Sequence, residues 1–222
     1  MKRRALVKTL GAALGLAFAL NPKNTWATNA PERSPKLPVL LVLGDSLSAE
    51  YGLPRGQGWV KQLEVRLAQE RFRYEVINAS ISGETSSGGL ARLPDLLRTH
   101  RPTVVVLELG ANDGLRGLSV QALRANLQTM VKACRNAGAR VLLVGMRMPP
   151  NYGRAYAEDF FAAFGAVAHT EKVAHVPFLF DGFADKSELF QADHLHPTEA
   201  AQPLMLDNVW PKLRPLLLAR AS

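Results

Sequence analysis

The run Val39-Leu40-Leu41-Val42-Leu43 has no polar face. An extended segment that is apolar on both sides has to be covered on both sides. Strands of that kind belong to parallel sheets held between layers of helices. Gly44 and Asp45 end the run, so Ser46 falls where the chain leaves the carboxyl end of the strand. In open parallel sheets this edge is where ligands bind. A serine there can act as a nucleophile if a base and a set of oxyanion donors converge on it.

The rest of the chain repeats the pattern. Thr103–Leu109 carries Val104-Val105-Val106-Leu107, β-branched and apolar, and reads as a second buried strand. Shorter runs at Tyr74–Asn78, Arg140–Gly145 and Val173–Phe180, the last interrupted by Pro177, bring the number of strands to five. Between them lie helical periodicities. Trp59, Val60, Leu63 and Leu67 form one, after a glycine-rich loop over Tyr51–Gly58. Leu90, Leu93, Leu96 and Leu97 form another, with Pro94 expected to set its start or to kink it. Val120, Leu123, Leu127, Met130, Val131 and Cys134 keep helical spacing, with Ser119 as cap and Gly138 as stop. A helix over Ala155–Thr170 and a closing helix around Pro203–Trp210 follow, with Asp181–Asp193 irregular between them.

Strands alternating with helices predict a three-layer α/β/α sandwich with right-handed crossovers. Parallel strands deliver their C-terminal loops to one edge. Ser46, Gly83, Asn112 and the loop before the last helix can therefore meet.

Charge narrows the class of partner. The 222 residues carry a formal net charge of +8, but five of the 27 basic residues (Lys2, Arg3, Arg4, Lys8 and Lys23) lie in the first thirty, which hold no acidic residue. The remaining 22 basic residues stand against 19 acidic ones, with no basic stripe interleaved with aromatics, so nucleic acid is not an expected partner. The basic head, the apolar run Leu10–Leu20 and the small residues at Ala27 and Ala30 read as a secretory signal peptide over residues 1–30. The run is shorter than the roughly 20 residues a bilayer span needs. Arg3-Arg4 also suits twin-arginine export, with Lys2 where a hydroxyl residue is usual; a retained anchor is the third alternative. Export to the periplasm or the medium is the expectation. Cys134, the single cysteine, excludes an intrachain disulfide and reads as a buried, inert thiol.

Asp193 and His196 are three residues apart, within one turn of chain. The carboxylate can orient the imidazole, leaving its second nitrogen to take a serine proton. Candidate oxyanion donors are the Ser46 N–H, the Gly83 N–H and the Asn112 amide. Taken singly, each has a plain reading: a turn at Gly44-Asp45-Ser46 and at Asn112-Asp113-Gly114, a loop glycine at Gly83, a capping cluster at Asp193/His196. Asp193, His194 and His196 could also ligate zinc, which would leave Ser46 and Asn112 unexplained. Asp45 and Asp113 are expected to hydrogen-bond the site's loops, and His100, His169 and His175 to be structural.

Gly44-Asp45-Ser46-Leu47, Gly83, Gly110-Ala111-Asn112-Asp113 and Asp193-His194-Leu195-His196-Pro197 resemble, in order, the four blocks of the SGNH (GDSL) hydrolases. Asn78–Thr85, Gly89–Pro94, Asn112–Gly117 and Pro150–Arg154 resemble the thioesterase I/lysophospholipase L1/arylesterase branch, so the likeness spans the chain from residue 31 to 222 as one catalytic domain. The resemblance implies a flavodoxin-like five-stranded parallel sheet. It also implies Ser46 as nucleophile, His196 as base, Asp193 as its orienter, and Ser46, Gly83 and Asn112 as the oxyanion hole. No metal or organic cofactor is implied. Substrates would be small ester, thioester or lipid molecules, with room for transient contact with membrane lipid. His194 departs from the family's usual glycine and offers a rival base. Leu115, Met148, Pro149, Pro150 and Tyr152 are expected near an acyl groove. A carbohydrate O-deacetylase and a non-catalytic periplasmic lipid-binding protein remain as alternatives.

Overall fold

Val39–Gly44 forms the first strand, β1, buried along its whole length, with Leu40 to Leu43 at zero exposure. Each such side chain removed from water contributes roughly 1.5–3 kcal/mol before the entropy of ordering is set against it. β2 spans Glu75–Asn78, β3 Val104–Glu108, β4 Arg140–Val144 and β5 Ala174–Val176. The computed structural model describes residues 36–219. The leader expected over residues 1–30, and its cleavage sites, lie outside them.

The five strands make one sheet of order β2-β1-β3-β4-β5, every pair parallel. Helices α1 (Trp59–Gln69) and α6 (Gln202–Leu218) pack together as one layer. Helices α2 (Ser86–His100), α4 (Val120–Asn136) and α5 (Arg154–Glu171) make the other, with α4 in the middle. The three-layer sandwich is the one the alternation predicts. The chain first steps from β1 outward to β2, then crosses back over β1 to β3. This reversal sends the connections to opposite faces and opens a crevice at the carboxyl ends of β1 and β3, the place where such sheets hold ligands.

The helices follow from local chemistry. Ser119 Oγ accepts the Ala122 N–H and starts α4, whose buried residues are Val120, Leu123, Leu127, Met130, Val131 and Cys134. Burial pushes the Cys134 thiol up to about 12, so it carries no thiolate chemistry. Thr85 Oγ1 caps α2 by accepting the Gly88 N–H.

Three expectations are corrected. Pro94 does not set the start of α2, which begins eight residues earlier at Ser86; Pro94 sits on the exposed side, where the carbonyl it frees can be hydrated. β5 stops at Val176, because Pro177 has no N–H to continue the ladder, and does not run on to Phe180. α6 continues past Trp210 to Leu218. Its Pro211 and Pro215 lie four apart on the exposed face, while Leu213 and Leu217 face the core. In addition, Asn112-Asp113-Gly114, for which a turn is the plain reading, lies in a short helix, α3, spanning Ala111–Leu115.

Candidate active site

The turn that follows β1 carries Ser46, and it is tied down by its own hydrogen bonds and from two neighbouring strands. Within the turn, Ser48 N–H and Ala49 N–H donate to the Asp45 carbonyl at 3.3 and 3.0 Å. From β2, Asn78 Nδ2 donates to the Ser48 carbonyl at 2.7 Å. From β3, Glu108 Oε2 accepts the Ser48 hydroxyl at 2.7 Å and the Asp45 N–H at 3.4 Å.

The structure brings the expected serine, histidine and aspartate together across 150 residues of sequence. His196 Nε2 lies 2.9 Å from Ser46 Oγ, and His196 Nδ1 lies 2.7 Å from Asp193 Oδ2. The second Asp193 oxygen accepts the backbone N–H groups of Leu195 and His196 at 2.9 and 3.0 Å. Burial opposes ionisation of Asp193. Those two amides, and after them the imidazole, outweigh it and bring the carboxyl down to about 2. Asp193 is therefore ionised at neutral pH and can fix the tautomer with the proton on Nδ1, leaving Nε2 as an acceptor for the serine hydroxyl.

The oxyanion candidates divide. The N–H groups of Ser46 and Gly83 donate to no protein acceptor among the described residues. Gly83 has φ +80°, a conformation that side chains other than glycine's rarely adopt, and a Cβ there would meet nothing closer than Arg116 Nη2 at 3.8 Å. The backbone, not crowding, requires glycine at this position. Asn112, in α3, directs its amide nitrogen at Asp45 Oδ2 (3.2 Å) and the Glu84 carbonyl (3.0 Å). Its N–H groups are thus held by the protein itself.

Asp45 and Asp113 serve the loops, as expected. Asp45 accepts the Leu47 N–H at 3.0 Å and the Asn112 amide. Burial drives its carboxyl up to about 7, against those hydrogen bonds. Asp113 accepts the N–H and Oγ–H of Ser86 at 2.8 and 2.6 Å and so joins α3 to the start of α2. His194 has φ +56° and an exposed ring that makes no hydrogen bond among the described residues; the imidazole facing Ser46 is that of His196. No group of three ligating side chains among the described residues is arranged to hold a metal.

Ser46, Asn112 and His196 open onto a cavity of about 530 Å³. Its wall is chiefly apolar, with Leu47, Leu115, Met146, Met148, Phe178 and Phe180. Leu115, Met148 and Pro149 line it as expected; Tyr152 does not, and the side chain of Pro150 lies outside the described part. A wall of this kind suits an acyl chain or an aromatic ring. Arg147 also lines it, its guanidinium 4.0 Å from the Phe161 ring centroid and 5.3 Å from that of Phe178.

Several residues that shape the site escaped the sequence reading. The Tyr51 ring lies on the His196 imidazole, with centroids 4.3 Å apart. Gln191 joins the two loops: its Nε2 donates to the carbonyls of Tyr51 and Pro197, and its N–H to the His196 carbonyl. Glu108 was absorbed into an apolar strand, although a carboxylate ending such a run is itself a visible signal.

The model of the GDSL-like lipase/acylhydrolase family matches residues 42–203. The chain is 55% identical over 179 residues to the esterase TesA of Pseudomonas aeruginosa, covering 81% of this chain and 89% of that protein. It is 41% identical over 179 residues to thioesterase 1/protease 1/lysophospholipase L1 of Escherichia coli K12, covering 81% and 85%. The crystal structure of the psychrotrophic esterase EstA from Pseudoalteromonas sp., inhibited by monoethylphosphonate, superposes with a TM-score of 0.76 at 42% identity, covering 82% of this chain and 99% of that one.

Proposed function

Because this chain belongs to the GDSL-like lipase/acylhydrolase family, the SGNH hydrolases, we propose that it is an exported esterase that cleaves carboxylic esters and thioesters through an acyl-enzyme on Ser46. The observation that carries the reading is the pair of hydrogen bonds from Ser46 Oγ to His196 to Asp193 at the mouth of an apolar cavity.

In the proposed reaction His196 Nε2 takes the Ser46 hydroxyl proton as Oγ attacks the substrate carbonyl. The resulting oxyanion is held by the free N–H groups of Ser46 and Gly83. Asn112 exchanges its longer hydrogen bond, the one to Asp45, for the oxyanion. The tetrahedral intermediate collapses and expels the alcohol or thiol, which leaves with the proton held on His196. A water then enters, gives its proton to Nε2 and attacks the acyl carbonyl; as this second tetrahedral intermediate collapses, the proton on Nε2 passes to the departing Ser46 Oγ, which releases the acid and restores the free Ser46 hydroxyl and neutral His196. Each step is neutral in atoms and charge, and the chain's own side chains provide every proton transfer.

The substrate class follows from the cavity wall. Its phenylalanines, methionines and leucines favour an aryl or fatty acyl group, including that of a lysophospholipid, over an acetylated sugar, which needs hydroxyl partners. A lipid-binding protein without turnover has no use for a histidine held by an ionised aspartate against a serine. Export rests on the basic head and apolar run of residues 1–30.

The test is Ser46→Ala. It is expected to abolish hydrolysis of p-nitrophenyl esters and covalent labelling by an organophosphonate while the protein stays folded. Turnover by the folded variant at the parent rate would refute the mechanism.

A further inference from the structure

Glu108 is a buried carboxyl that the mechanism above does not use. It ends β3 as the register partner of Gly44 on β1 and is 3% exposed. The approach is close: a Cβ at residue 44 would stand 2.7 Å from Glu108 Oε2 and 2.9 Å from Ser48 Oγ. Glycine at 44 is therefore what lets the carboxyl reach over to the turn. There Oε2 takes the N–H of the residue before Ser46 and the hydroxyl of the second residue after it. Ser46 stands between the two points held. A strand that served only the core would end on valine or leucine, as burying a carboxyl costs several kcal/mol unless its partners return it. Polar groups kept at such a cost gather around sites of function.

We propose that Glu108 is a positioning residue for ester hydrolysis: by holding both flanks of Ser46 it aims the Ser46 hydroxyl at His196 and the Ser46 N–H at the oxyanion. This rests on Ser46 being the nucleophile. The groups facing Glu108 indicate how it acts. Asp45 is its nearest ionisable neighbour, and beyond Asp45 stand Asp113 and Glu84, the latter paired with Arg92 at 2.8 Å. Burial, and next the charge of Asp45, hold the Glu108 proton well above the usual carboxyl range, despite the hydrogen bonds from Ser48 and Asp45. Glu108 thus works as a neutral acceptor of fixed shape, a role the isosteric amide can fill.

The experiment compares Glu108→Ala, Glu108→Gln, Ser48→Ala and Ser46→Ala on a p-nitrophenyl ester, with a thermal melt for each. Glu108→Ala is expected to lower kcat by about 10- to 100-fold with little change in KM, the signature of a misaimed nucleophile. Glu108→Gln is expected to restore most of that loss. Ser48→Ala removes only the hydroxyl that Glu108 holds; it guards against a Glu108→Ala variant that does not fold, and is expected to lower kcat severalfold. A parent-like kcat in folded Glu108→Ala or folded Ser48→Ala would overturn the proposal, as would a Glu108→Gln variant as slow as Glu108→Ala. Activity in folded Ser46→Ala would instead overturn the assignment of the nucleophile, so the two failures are distinguishable.

Discussion

The Tyr51 ring lies against the His196 imidazole, with centroids 4.3 Å apart and planes inclined by 37°. Asp193 holds one edge of the imidazole and Tyr51 covers one face, so the ring is fixed in two directions. In the proposed mechanism His196 takes the serine proton, and the face of an aromatic ring would also attract the cation so formed. Tyr51→Ala is therefore expected to lower kcat about 2- to 10-fold, in keeping with the strength of one such contact, with KM little changed. Tyr51→Phe, which keeps the ring, is expected to stay within about twofold. Steady-state kinetics on one aryl ester decides the matter; equal losses in both variants would point to the hydroxyl instead.

Asp193 contributes both geometry and charge. Asp193→Asn can keep the backbone hydrogen bonds but permits the wrong imidazole tautomer, and a loss in kcat of about 10²–10⁴ is expected. Because the folded carboxyl is depressed to about 2, its contribution to stability is complete above the unfolded value near 3.9 and is lost as the pH falls through about 2. Melting the parent and the variant between pH 2 and 5 tests this: the gap in Tm between them should close at the acid end.

The Asp45/Glu108 pair has the opposite sign. Asp45 is raised to about 7 by burial, so the stability linked to its proton is complete below the unfolded pKa near 3.9 and is lost as the pH rises through about 7. The parent protein should lose stability, on the order of a few kcal/mol, between pH 5 and 8. Glu108→Gln removes one of the two carboxyls and should flatten that slope. Chemical denaturation at pH 5 and pH 8 measures both; equal slopes in the two proteins would show that the pair does not share this burden.

Ala184 is exposed yet lines the cavity wall. A larger side chain there can narrow the space without disturbing the core. Ala184→Phe is expected to lower kcat/KM for a C12 p-nitrophenyl ester at least about tenfold, while leaving the acetate within about twofold, since a few methylenes in a hydrophobic pocket carry a difference of that size. A uniform fall across C2 to C12 would place the acyl chain elsewhere.

Legibility in the sequence followed range. The apolar runs of β1 and β3 and the six inward positions of α4 depend on neighbours in the chain, and they were read correctly. The serine, asparagine and aspartate–histidine blocks were legible because parallel strands send every such loop to one edge. The extents of α2 and α6 were less legible: whether a helix tolerates proline depends on which face it occupies, which the rest of the fold sets at Pro94, Pro211 and Pro215. Glu108 and Tyr51 were missed because each owes its role to a register or an approach between distant segments, Glu108 opposite Gly44 and Tyr51 over His196. The tether of the Asn112 amide to Asp45 and Glu84 was equally unreadable, since it lies across three loops.

Asp193 and His196 occupy a single turn of chain, and Gln191 links that turn to the loop bearing Tyr51. The proposed base and its orienter are consequently delivered as one piece. A loosening of this segment would withdraw both at once and leave Ser46 an ordinary alcohol.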